Sequence, residues 1–180
     1  MAQKLNKGEI NKILELLDEE ISKDIEQPSL KFILIAVGGT SLTLRDIKPS
    51  TKDLDFMADG IEIEKLKKYV KRIYEKNKCK IDVWQSPYIF STALMKDFSS
   101  DLYKIKFGHF DVRIINLVDN AVAKLSRFNE ADREDIDGII KAGINIDSII
   151  KRFNDTLENN GFANKEEAKR NLEIFMKIVK

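Results

Sequence analysis

Apolar positions along the chain fall into short blocks whose period changes once, near Asn116. Ile10, Ile13, Leu14, Leu17, Ile21 and Ile25 recur three and four apart, the spacing of one helix face, with charged residues on the opposite face. Pro28 and Ser29 close this helix's connection to the next block. Phe32, Ile33, Leu34, Ile35 and Val37 form a β-branched run over 31–37, too short for a helix and apolar enough for a buried central strand. Gly38 and Gly39 end it. A helical turn over 40–45 leads into a loop over 46–52 with Pro49, Ser50 and Thr51. A second strand is predicted over 53–57, followed by a turn at Asp59-Gly60. Ile63, Leu66, Val70, Ile73 and Tyr74 define a second amphipathic helix ending near Asn77. A third strand over 80–84 is closed by Pro87. Between 102 and 115, Tyr103, Ile105 and Phe107, then Phe110, Val112 and Ile114, alternate with other residues. That pattern reads as a strand pair or one bent strand, with Gly108 at a turn or bulge.

After Asn116 the period is helical throughout. Helices are expected over 117–128, 133–142, 147–157 and 165–179, and Asn164 followed by Glu167 is a capping pair for the last. The organisation is an α/β (α+β) half with an N-terminal helix, residues 1–116, and a helical half, residues 117–180. A mixed sheet over 30–116 with helices mainly on one face follows from this order.

Composition narrows the chemistry. The chain has 180 residues, 43% of them apolar, enough for a core; 31 Lys and Arg nearly balance 30 Asp and Glu, for a net charge of +1. No global basic field exists, so any nucleic-acid contact needs a local patch. One cysteine, Cys79, excludes an internal disulfide, fits a reducing cytoplasm and reads as a small buried hydrophobe. One histidine, His109, makes a His-rich metal site improbable and reads as a packing or hydrogen-bonding residue. No apolar run reaches the ~20 residues that a bilayer requires, and residues 1–20 carry no signal-peptide core, so a cytoplasmic protein is expected.

Two features carry the chemistry. Gly38-Gly39-Thr40-Ser41 stands at a strand end, where missing Cβ atoms let the backbone approach a phosphate and hydroxyls add bonds to its oxygens. Alone, such a turn is common. Asp53-Leu54-Asp55 adds weight, because strand residues two apart share a face. Two carboxylates side by side repel, and a divalent cation relieves that cost. A pair of solvated aspartates at a strand end is the plain alternative.

Gly38-Gly39-Thr40-Ser41-Leu42, Arg45 and Ser50-Thr51-Lys52-Asp53-Leu54-Asp55-Phe56 resemble the first motif of the polymerase-β-like nucleotidyltransferase superfamily, closest to its branch of AbiEii-type toxins. The resemblance implies a polymerase-β-type mixed sheet with a C-terminal helical region. It implies that Gly38, Gly39, Thr40 and Ser41 hold a nucleoside triphosphate and that Asp53 and Asp55 bind Mg²⁺ or Mn²⁺. A third carboxylate on a neighbouring strand completes such sites. Asp111 and Asp82 both fit the pattern, and Asp111 is favoured because its strand precedes the next motif.

That motif runs through Asp119, Lys124 and Arg127 to Asp132 and Asp135, and is similar to the downstream segment of the same branch. The resemblance implies that Lys124 and Arg127 reach the triphosphate and that Asp132 or Asp135 orients Lys124 or serves as a base. With Lys124 in an open cleft, its removal leaves stability almost unchanged. An exposed, salt-bridged helix pair is the plain alternative. The basic run Lys65, Lys67, Lys68, Lys71 and Arg72 reads as a solvated helix face or a nucleic-acid patch, and Trp84, Tyr88 and Phe90 as core or as base-stacking residues.

The expected function is metal-dependent transfer of an NMP from an NTP to an acceptor hydroxyl on a protein, a tRNA end or a small molecule. A toxin of a toxin–antitoxin or phage-defence system, with an antitoxin partner, is implied by the branch. The alternatives are a catalytically inactive nucleotide- or partner-binding module of the same fold and an antitoxin-like interaction subunit.

Overall fold

The computed structural model describes residues 4–25 and 31–179. Pro28 and Ser29 lie outside the described residues. The chain divides into two compact units: residues 1–86 with 100–114, and residues 87–99 with 115–180.

The first unit is built on a five-stranded sheet in the order β3-β2-β1-β7-β6. Its strands are β1 (Phe32–Ala36), β2 (Leu54–Asp59), β3 (Ile81–Gln85), β6 (Ser100–Leu102) and β7 (Phe110–Ile115). β1 is antiparallel to β2 and parallel to β7, and β2 is parallel to β3, so the sheet is mixed as expected. Of the segment over 102–115, only 110–115 is a full strand; its sheet neighbour β6 ends at Leu102, and 103–109, whose alternation suggests a first strand, is irregular. One face is apolar: Phe32, Leu34, Leu54, Phe56, Phe110 and Val112 join Ile10, Leu14, Leu17 and Ile21 of α1 (Lys7–Ser22), and Leu66, Tyr69 and Ile73 of α3 (Ile63–Asn77). The periodicities found in the sequence are the ones that fill this core. Helix α2 (Gly38–Leu44) follows β1 directly, with Val37 as its N-cap.

Polar groups tie α1 to its neighbours. Asn6 and Glu9 form a capping box at its start. Near its end, the buried carboxylate of Glu20 accepts bonds from Lys23 (2.5 Å) and Lys76 (2.9 Å), and Arg72 lies 3.5 Å away. The Lys23 bond, then the Lys76 bond, outweigh the upward push of burial and hold the Glu20 carboxyl at about 2, against its ordinary 4.5. A depressed carboxyl stabilises the folded state above the unfolded value and loses that contribution as pH falls towards the folded value. Melting curves of the native protein and Glu20→Gln should therefore differ most above pH 4.5 and converge as pH falls towards about 2.

The second unit contains a small antiparallel hairpin, β4 (Tyr88–Ile89) and β5 (Thr92–Ala93), and four helices. These are α4 (Leu117–Leu125), α5 (Glu130–Lys141), α6 (Ile146–Glu158) and α7 (Lys165–Ile178). Each starts on an asparagine whose side chain accepts a backbone N–H: Asn116, Asn129, Asn145 and Asn164. Phe128 meets Phe175 edge to face, and Phe153 packs on Phe162. Among the described residues, no helix is long and apolar enough to cross a membrane.

Candidate functional site

The glycine turn and the acid pair come together inside the first unit. Gly38 has φ +57°, a left-handed conformation that a side chain would strain. A Cβ on Gly39 would sit 2.7 Å from Thr51 Oγ1, too close to tolerate, so this second glycine is required by the packing of the loop. The Thr40 hydroxyl accepts the Asp55 N–H (2.8 Å) and donates to the Asp53 carbonyl (3.4 Å). Thr51 Oγ1 also donates to the Asp53 carbonyl (3.0 Å). One hydroxyl thus pins the backbone of both aspartates to the turn.

The turn's hydroxyls differ in use from the phosphate contacts expected of them. Thr40 and Ser41 are fully buried, and Ser41 Oγ donates to the Gly38 carbonyl (3.0 Å). Their bonds shape the turn and fix the acid strand, and Gly38 and Gly39 are buried with them. Asp53 stands one residue before β2 rather than in it, and both carboxylates are half-buried.

The third carboxylate requires a correction. Asp55 is directly opposite Asp82 in the parallel β2–β3 ladder. Adjacent strands are about 4.8 Å apart and paired residues share a face. Asp111 instead pairs with Ile33, which is level with Asp59 across β1. Four residues separate Asp59 from Asp55, roughly 13 Å along a strand, so Asp111 lies far from the pair and has Lys31 at 3.7 Å. Strand order decides between the two acids, and strand order was not readable from the linear pattern.

A cation already lies among these acids. Lys80 Nζ is 2.6 Å from Asp82 Oδ2. That bond raises the Lys80 ammonium above its ordinary value, against desolvation, with smaller contributions from the charges of Asp53 and Asp55. Among the described residues, no three His, Cys, Asp or Glu side chains stand close enough to hold a metal. Two hard carboxylates, Asp53 and Asp55, nevertheless fit Mg²⁺, which is typically held by one or two carboxylates together with substrate phosphates. Cys79 is buried beside them, and burial, with the Asp53 charge, pushes its thiol up to about 11, so it is no nucleophile.

The downstream residues gather within the second unit. Lys124 has a side-chain exposure of 3% and lies 2.5 Å from Asp135 and 3.4 Å from Asp132. Arg127 reaches Asp132 at 2.8 Å and stacks its guanidinium 3.7 Å over the Phe90 ring. Asp132 also occupies the first turn of α5, its N–H bound by the Asn129 cap. Asp132 Oδ2 and Arg127 Nε are buried without a hydrogen-bond partner. The group is neither the open cleft nor the exposed salt-bridged pair considered from the sequence: it is a buried ionic network holding α4 to α5. Asp119 is likewise structural, clamped by Arg152 (2.6 Å), which also binds Asp97 (2.7 Å).

Other expectations resolve simply. His109 is a hydrogen-bonding residue, its ring nitrogens 2.8 Å from Asp18 and 2.9 Å from the Ile25 carbonyl. Most of the basic run on α3 is paired with acids, Lys67 with Glu64, Lys71 with Glu75 and Arg72 with Asp24 and Glu20, which makes it a solvated face.

A mixed sheet whose central strand ends in a glycine turn, braced against an antiparallel strand with a pair of aspartates at its start, is the arrangement of the polymerase-β-like nucleotidyltransferase fold. Residues 12–179 match the family described as "Nucleotidyltransferase of unknown function (DUF6036)", and the chain belongs to that family. No curated protein and no solved structure matches the chain significantly.

Proposed function

We propose that the protein is a divalent-metal-dependent nucleotidyltransferase that moves an NMP from an NTP to an acceptor hydroxyl, with Asp53 and Asp55 as the metal ligands. The observation that carries this reading is the Thr40 hydroxyl, which joins the glycine turn to the backbone of both aspartates. It supports a phosphate-facing turn and a metal-facing acid pair built as one piece. A bound divalent cation would supply charge stabilisation to the phosphate oxygens. The Gly38-Gly39 backbone would approach the triphosphate, and Thr40 and Ser41 would hold that backbone in place. The acceptor oxygen forms a bond to the α-phosphorus, the bond from the α-phosphorus to the bridging oxygen breaks, pyrophosphate leaves and the hydroxyl proton passes to solvent. Incubation with α-³²P-labelled NTPs, Mg²⁺ and cell extract should label an acceptor, whereas Asp53→Asn/Asp55→Asn should label none. An unlabelled extract with all four nucleotides would contradict transfer.

A second reading, a nucleotide-binding module without turnover, is favoured by the Lys80 ammonium beside the acids and by the lack of a three-acid cluster among the described residues. It predicts Mg²⁺-dependent NTP binding with no labelling. The resemblance to AbiEii-type toxins extends the proposal to a toxin with an antitoxin partner. Induced expression should then arrest growth, and an unimpaired culture making the soluble protein would refute that role.

A further inference from the structure

Beside Asp53 the first unit opens into a cleft of about 540 Å³ between the start of α1 and the end of α3. The volume falls within the roughly 300–1,000 Å³ of small-molecule sites. Its lining is apolar at Leu5 and Ile13 and sets four lysines, Lys12, Lys52, Lys78 and Lys80, against two acids, Glu9 and Asp53. Lys12, Lys52 and Lys78 are exposed and make no ion pair among the described residues, unlike most of the basic run on α3. Unpaired ammonium groups converging on one concavity repel one another, and an anion relieves that repulsion. The same wall presents Tyr74, 49% exposed, with Lys78 Nζ 5.8 Å from its ring centroid. An exposed ring, apolar lining residues and point-like cations together match a base and its phosphates.

We propose that this cleft binds a nucleoside phosphate unit of a single-stranded nucleic acid, and that the strand's 3′ end is thereby brought to Asp53. Tyr74 stacks on a base, and Lys12, Lys52 and Lys78 contact successive phosphates. Strand binding stands on the cleft alone, whereas the strand's role as acceptor rests on the function proposed above.

Anisotropy of a 5′-fluorescein-labelled unstructured oligoribonucleotide tests the assignment. The native protein should bind it with an affinity that falls steeply with salt. Lys12→Gln/Lys52→Gln/Lys78→Gln should lower the slope of log K against log salt by about 2, since each single-strand phosphate contact contributes roughly 0.7. Tyr74→Ala should weaken binding about tenfold. These side chains are exposed, so melting curves of the variants should match that of the native protein. Anisotropy is read without Mg²⁺ or NTP, and Mg²⁺-dependent NTP binding by calorimetry without the strand, so the two proposals fail separately. No binding by the native protein, or an unchanged slope in the triple variant, would overturn the assignment. So would displacement by free AMP as effective as by the unlabelled strand, or by polyglutamate at equal charge.

Discussion

Replacing Lys124 with Ala should cost about 3–5 kcal/mol of stability, the usual loss when one partner of a buried ion pair is removed. Lys124 is 3% exposed and lies between two side chains, Asp132 and Asp135, that are 3% and 6% exposed. Without the ammonium, two carboxylates remain in a dry interior with one cation fewer. Arg127 still reaches Asp132, but its guanidinium is held on Phe90. For a chain of this length the loss corresponds to a melting shift of roughly 10 °C. Lys124→Met/Asp135→Asn should recover part of it, because a neutral pair of similar volume removes the unpaired charge as well as the bond. Chemical unfolding of the three proteins would show this as a midpoint shift at constant slope. An unchanged midpoint in Lys124→Ala would mean that the ammonium is solvated and that the network is not structural.

The sequence pattern led directly to the parts of the fold that rest on periodicity. Three- and four-residue spacing in α1 and α3, and the β-branched run of β1, mark residues whose burial builds the core, and burial is what periodicity reports. The hairpin of β4 and β5 escaped it because two-residue strands are too short to show a period. The asparagine caps of α4 and α5 stand in the sequence as Asn followed three residues later by Asp, and they place Asp119 and Asp132 in the first turns of their helices.

The site was legible where it is local. Gly38-Gly39 and Asp53-Leu54-Asp55 lie close in sequence, and a single hydroxyl joins them in the fold. What depended on strand order was not legible: Asp82, and not Asp111, faces Asp55 because β3 rather than β7 flanks β2. Lys80 had a local signal, a Lys two residues before Asp82 at strand spacing, and its meaning emerges only beside Asp55. The basic cleft draws Lys12, Lys52 and Lys78 from three distant segments, a juxtaposition that only the fold creates.

The largest functional effect is expected at the acid pair. Asp53 and Asp55 are half-buried, their backbone is fixed through Thr40, and they sit against the glycine turn. Converting both to Asn keeps their size and removes two negative charges, the part of each side chain that a hard divalent cation requires. Backbone bonds from Thr40 and Thr51 hold the acid strand without using the carboxylates, and a melting curve of the double variant establishes that it is folded before titration. Isothermal titration of NTP in the presence and absence of Mg²⁺ is the direct measurement. The native protein should bind NTP only with Mg²⁺, and Asp53→Asn/Asp55→Asn should show no Mg²⁺-dependent heat while remaining folded. An Mg·NTP affinity equal to that of the native protein in the folded double variant would contradict the assignment of the metal site to these two aspartates.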